Sequence, residues 1–208
     1  MTAVSDRPLR ADAARNAERI LRAARQAYAE LGPDAPMDLI ASRAGVGERT
    51  LYRRFPTKGE LARAVIDKAV AETLSPEIDR ALRSRNPLRG LANLVEAAIA
   101  LGAREHHVLT AARQAGSLTD VSVHLDEALY ELTRRAQHAG LVRADLVADD
   151  LPRMVAMLFS VLGTMDPASD GWRRYVALMI DAISTSNPSR LPRAVPIQYP
   201  QSLEEWPI

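Results

Sequence analysis

Apolar residues recur at three- and four-residue steps through nearly the whole chain, the spacing that lines one face of an α-helix. Between Asp12, a candidate N-cap, and the stop at Gly32-Pro33, the series Ala17, Ile20, Leu21, Ala24, Tyr28 and Leu31 predicts a long first helix. Met37, Ile40, Ala41 and Ala44 mark a short second helix ending at Gly45, and Val46-Gly47 leads into a third, Glu48 to Phe55. Pro56 closes that third helix, because proline neither donates to the hydrogen-bond ladder nor lets it continue. A long helix followed by two short ones across a glycine turn is a helix-turn-helix arrangement. Thr57-Lys58-Gly59-Glu60 has the form of a capping box and opens a fourth helix that runs to about Leu74, where Ser75-Pro76 interrupts it.

The remainder repeats the pattern on a larger scale. Leu88 to about Gly102 carries Leu91, Leu94, Val95, Ala98, Ile99 and Leu101, an apolar face wide enough to be covered on two sides. A shorter piece, Arg104 to Ala115, precedes Gly116. Asp120 caps a helix lined by Val121, Leu125, Ala128, Leu129, Leu132 and Ala136 and closed by Gly140. Two strongly apolar helices follow a charged connector: Arg153–Thr164 after Pro152, and Gly171–Ser184 capped by Asp170. Both carry more apolar surface than one core requires. The pattern predicts an all-α fold of about nine helices. Its parts are a flexible arm over 1–11, a helix-turn-helix domain over 12–60 and a larger helical domain over 61–186. Five prolines among the last 22 residues make 187–208 an extended tail.

Composition narrows the class further. The 208 residues contain no cysteine, which removes disulfide frameworks, thiolate metal sites and cysteine nucleophiles and fits a reducing compartment such as the cytoplasm. No apolar run approaches the ~18 residues of a membrane span, so no membrane partner is expected. The net charge of +1 conceals an asymmetry: residues 1–60 carry 11 Arg/Lys against 8 Asp/Glu, and the rest of the chain is net negative. Phosphate-binding loops, nucleophile elbows and zinc-protease signatures are missing, so no enzyme and no cofactor is expected. His106-His107, His124 and His138 lack the spacing that closes on one ion, and no metal is expected.

The front end is where chemistry concentrates. On a helix starting at Glu48, Leu51 and Phe55 fall four apart and point inward, leaving Arg49, Thr50, Arg53 and Arg54 outward. Such a face fits the major groove, where arginine pairs both acceptors of guanine and the threonine methyl meets that of thymine. Tyr52 and Lys58 suit phosphate, as do the free backbone amides at 57–59. A solvated arginine face is the alternative reading of the same positions. Arg7 and Arg10 are either a minor-groove arm or free charge.

Ala41-Ser42-Arg43-Ala44-Gly45-Val46-Gly47, followed by Thr50-Leu51-Tyr52-Arg53-Arg54-Phe55-Pro56-Thr57-Lys58-Gly59-Glu60-Leu61, resembles the DNA-binding signature of the TetR family of bacterial transcriptional regulators. The stretch from Arg135 to Asp145 is also similar to a loop found in many members. The resemblance implies a homodimer whose third helices enter successive major grooves of a palindromic operator, and a helical domain that binds a small molecule and thereby lowers DNA affinity. It puts base contacts at Glu48, Arg49, Thr50 and Arg53 and phosphate contacts at Tyr52, Arg54 and Lys58. Gly47 stands where members often have serine, a weaker cap that lacks a hydroxyl contact to phosphate. Glu48 is acidic where a basic or neutral residue is common; it either accepts from a cytosine amino group or complements the helix dipole.

Helix phase offers Leu94, Leu101, His107, Leu125, Met154 and Leu158 as candidates for the lining of an apolar effector pocket. Phe159, Leu162, Trp172, Tyr175, Met179 and Ile183 are the candidates for the dimer interface. Met154, Met157, Met165 and Met179 serve either core packing or an adaptable cavity. The competing function is a helical ligand-binding dimer without specific DNA binding.

Overall fold

The computed structural model describes residues 7–116, 123–147, 149–166 and 169–185. They form α1 (Arg7–Leu31), α2 (Met37–Ala44), α3 (Glu48–Arg54), α4 (Lys58–Ala69), α5 (Ser75–Leu82), α6 (Pro87–Arg104), α7 (His106–Gln114), α8 (Val123–His138), α9 (Asp150–Leu162) and α10 (Trp172–Ile183). Extended pairing among the described residues is confined to one antiparallel bridge, Val142 with Ser184, held by Arg143 N–H to the Ile183 carbonyl at 3.0 Å. The all-α class stands.

Three boundaries differ from the sequence pattern. Helix α1 begins at Arg7, so residues 7–11 are helical and Asp12 lies inside the helix, paired with Arg15 one turn on. Ser75-Pro76 does not end the fourth helix: α4 passes through a five-residue π-helical turn, Val70–Leu74, straight into α5. Pro76 stands in the first turn of α5, directly after the π-helical turn that accommodates a residue with no N–H to donate. At α10 the N-cap is Gly171, and Asp170 accepts the Arg173 N–H through its backbone carbonyl at 3.1 Å. The proposed cap at Asp120, residues 1–6 of the arm and the tail over 187–208 lie outside the described residues.

The described chain divides into two units, residues 7–68 with 105–116 and residues 69–104 with those from 123 onward. The sequence pattern set one boundary at residue 60 and put α7 in the larger part. In the structure α7 packs on α1 instead, and its N-cap residue Glu105, 2% exposed, is ion-paired with Arg25 of α1. Ile20, Ala24 and Tyr28 of α1, Ile40 of α2, Leu51 of α3, Leu61 of α4 and Ala112 of α7 are each 1% exposed or less and form the centre of this first unit.

In the second unit, α6 is the central element. Its Leu91, Leu94, Val95 and Ile99 are fully buried in a cluster with Leu129 and Leu132 of α8, Leu151 and Val155 of α9, and Val176 and Ile183 of α10. Gly102 allows the closest approach on this helix: a Cβ there would lie 2.8 Å from Phe159 Cδ1 and 3.3 Å from Leu162 Cδ1.

Candidate nucleic-acid interface

The turn between α2 and α3 sets the site. Gly45 ends α2 at φ 62°, ψ 40°, a left-handed conformation that L side chains resist. The Gly45 and Val46 amides then donate to the Ser42 and Ala41 carbonyls at 3.0 Å each, satisfying the end of the helix. Arg19 of α1 donates to the Gly45 carbonyl at 3.1 Å and ties the turn to the long helix. Gly47 follows in extended conformation as the N-cap of α3, without a side-chain cap.

Two side chains fasten α3 to the unit, Leu51 at 0% exposure and Phe55 at 7%. Glu48, Arg49, Tyr52, Arg53 and Arg54 are all exposed, and Thr50 is half-buried. Among the described residues, Glu48, Arg49 and Arg53 have no side-chain partner, while the Arg54 guanidinium lies 5.8 Å from the Phe55 ring centroid. Lys58 Nζ is 3.6 Å from Asp34 Oδ1, a loose pair with an exposed carboxylate. The Glu60 amide donates to Thr57 Oγ1 at 3.1 Å, the first half of the expected capping box. All eight positions singled out in the sequence, from Gly47 to Lys58, therefore fall on one helix and the start of the next. An outward face holding three guanidinium groups without internal carboxylate partners is free to meet an anionic surface.

Long-range ion pairs brace this unit, and the sequence pattern did not reveal them. Arg43 and Glu30 approach to 2.6 Å, Lys68 and Glu18 to 2.6 Å, and Arg25 chelates Glu105. Their partners are separated by 13 to 80 residues, so no local spacing encodes them.

The sequence pattern of bacterial regulatory proteins of the tetR family matches residues 20–65. A TetR transcription regulatory protein from Mycobacterium vanbaalenii is 30% identical, over 86% of this chain and 100% of that one, with a TM-score of 0.59. The chain belongs to the TetR family. A TetR transcriptional regulator from Streptomyces coelicolor is 27% identical over 84% of this chain and 99% of its own, TM-score 0.57. The regulator FadR from Bacillus subtilis, solved in complex with stearoyl-CoA, shares the fold at 16% identity, with a TM-score of 0.63 over 80% of this chain and 98% of that one. No curated protein matches the sequence. As a TetR-family member the protein is a DNA-binding transcription regulator with a helical ligand-binding domain.

In this TetR-family chain, Leu94, Leu101, Leu125 and Leu158 are buried together in the second unit, with Met154 packed partly buried against them. His107 stands apart on α7 in the first unit, where a Cβ built on Gly32 would lie 3.9 Å from its Nδ1. Its neighbour His106 meets it edge to face at 5.2 Å between centroids, and burial, reinforced by His107 and Arg113, pushes the His106 pKa down.

The interface candidates divide. Leu162, Trp172, Met179 and Ile183 are buried in the core of their own chain, and Phe159 and Tyr175 are partly buried against it. The reason is helix phase: Leu151, Val155, Leu158 and Leu162 form one stripe on α9 and Trp172, Val176, Met179 and Ile183 another on α10, both turned into the cluster around α6. The large apolar side chains those two helices leave exposed are Met157 at 62% and Leu178 at 41%. Among the described residues, no helix is long and apolar enough to cross a membrane, and no group of His, Asp or Glu is arranged to hold a metal ion.

Proposed function

We propose that the protein is a cytoplasmic repressor without catalytic activity that binds a palindromic operator as a homodimer and is released by a small apolar effector. The observation that carries this reading is the outward face of α3, whose Arg49 and Arg53 lack internal partners while Leu51 and Phe55 hold the helix fixed. A rigid helix of this kind reads bases, with Glu48, Arg49, Thr50 and Arg53 toward their edges and Tyr52, Arg54 and Lys58 toward phosphates. Two copies related by a two-fold axis read half-sites one helical turn apart, ~34 Å centre to centre. Met157 and Leu178, exposed on adjacent helices beside half-buried Phe159 and Tyr175, supply an apolar surface for the second copy. The effector enters among Leu94, Leu101, Leu125, Met154 and Leu158. It acts by binding the off-operator state more tightly, and the shift equals that difference in affinity.

Mobility shift of the DNA upstream of the protein's own gene, at ~50 and ~200 mM salt against scrambled competitor, tests the reading. A competitor-resistant complex holding two chains is the expected result. Failure there and in operator selection from genomic fragments would leave a ligand-binding helical protein without specific DNA recognition.

A further inference from the structure

A polar recess lies in the second unit, between its first two helices. Between α5 and the start of α6 a cleft of about 430 Å³ is lined by Arg80, Arg85 and Arg89, with Ser84, Asn86 and Asn93 as further polar groups. That volume falls within the range of small-molecule sites. Glu77 is its single acidic lining residue and is already paired with Arg80. The guanidinium groups of Arg85 and Arg89 have no partner among the described residues.

The surrounding backbone adds to the positive potential. At the end of α5, Arg135 of α8 donates to the carbonyls of Leu82 at 2.6 Å and Ser84 at 2.7 Å, so the negative end of that helix is neutralised. On the opposite wall α6, 18 residues long, begins with no acidic residue in its first turn, so its positive end is capped by a neutral side chain and by no countercharge. Asn86 Oδ1 accepts the Arg89 amide at 3.0 Å, and the Ser84 hydroxyl donates to the Asn86 carbonyl at 2.8 Å, which fixes the connecting turn. Gly90 lets the two helices close on one another: a Cβ there would lie 2.8 Å from the Ala81 carbonyl oxygen and 3.2 Å from Leu132 Cδ2. The cleft thus has a packed floor and two free planar cations at its rim.

We propose that this cleft is a binding site for a small phosphate-bearing molecule, separate from the apolar effector site. Guanidinium groups pair phosphate oxygens two at a time, and the helix end favours the same charge. The recess is larger than a bare phosphate requires, so the occupant is a phosphomonoester whose organic part rests on Ala81 and Gly90.

Calorimetric titration of the full chain with AMP, adenosine and inorganic phosphate at low salt tests this. AMP should bind and adenosine should not. Arg85→Gln combined with Arg89→Gln should weaken AMP at least tenfold with an unchanged circular dichroism spectrum, and Arg49→Gln with Arg53→Gln should leave it intact. Inorganic phosphate binding as tightly as AMP would identify the free ion as the occupant within the same phosphate chemistry. Absence of binding by both AMP and phosphate, or binding insensitive to the Arg85 and Arg89 changes, overturns the proposal, as does loss in the α3 variant instead. No DNA enters the measurement, so its outcome is independent of operator recognition.

Discussion

Glu105 accepts two hydrogen bonds from the Arg25 guanidinium, Nε to Oε2 at 3.1 Å and Nη2 to Oε1, at the point where α6 gives way to α7. The carboxylate is 2% exposed, whereas the Arg25 side chain retains 38% of its surface. Removing Arg25 takes the bidentate partner from a buried carboxylate, so Arg25→Ala should destabilise the protein by about 2–4 kcal/mol in urea unfolding, below the cost of a fully enclosed pair because water still reaches the arginine. Glu105→Gln keeps one acceptor and should cost less. Equal, negligible effects from both changes would mean that the pair does not hold α7 in place.

Tyr28 is fully buried on α1, and among the described residues its hydroxyl lacks a hydrogen-bond partner. Desolvation pushes its pKa up to about 12. Because the folded state then holds the phenolic proton to higher pH than the unfolded chain does, this group's contribution is intact below about pH 10 and is lost as pH rises toward 12. The loss amounts to at most about 3 kcal/mol. Tyr28→Phe should therefore be neutral or slightly stabilising at pH 7 and should flatten the decline in stability above pH 10, as thermal unfolding across that range would reveal.

The fold was legible because helical periodicity is local, and the α3 face was legible because its determinants occupy a dozen consecutive residues. What escaped the sequence depends on distant partners or on competing local rules. Pro76 reads as a helix stop, yet it also fits the first turn of a new helix, and the π-helical turn before it made that second outcome possible. The allegiance of α7 rests on Arg25 and Glu105, 80 residues apart. On α9 and α10 apolar residues occupy more than one face, so phase alone did not separate buried Leu162 and Met179 from exposed Met157 and Leu178.

At Gly102 a methyl group would press into the Phe159 ring. Gly102→Ala should cost about 1–3 kcal/mol from overpacking, partly offset by up to about 1 kcal/mol of helix propensity. Phe159→Leu in the same chain should recover most of the loss, and a double-mutant cycle from denaturant unfolding measures that coupling. Additive losses would show that the two helices adjust without the ring. Leu101 and Leu158 adjoin these positions in sequence, so effector response should change alongside stability.

Gly47 caps α3 without a side chain, in an extended conformation open to any residue, and a Cβ there would meet nothing within 4 Å. Gly47→Ser adds a hydroxyl to the cap at no steric cost. A stability gain of a few tenths of a kcal/mol is expected, with operator binding tightened two- to fivefold at about 100 mM salt by the new contact to phosphate. Unchanged or weaker operator binding would place residue 47 away from the DNA backbone.

Arg49 and Lys58 belong to the same surface but should fail differently. Arg49 is exposed without a side-chain partner on the outward face of α3, so Arg49→Ala should cost about 1–3 kcal/mol on the cognate operator and relax preference at one base pair. Lys58 sits at the start of α4 with Asp34 3.6 Å away, so Lys58→Ala should weaken all sequences alike and reduce the slope of log affinity against log salt by about 1. The carboxylate supplies a third arm: Asp34→Asn frees Lys58 from a pair worth about 0.2–1 kcal/mol and should tighten binding up to fivefold at low salt, an effect that disappears when Lys58 is also removed. Equal losses for Arg49→Ala on cognate and scrambled DNA would remove it from base recognition, and an unaltered salt slope for Lys58→Ala would remove that residue from the phosphate contacts.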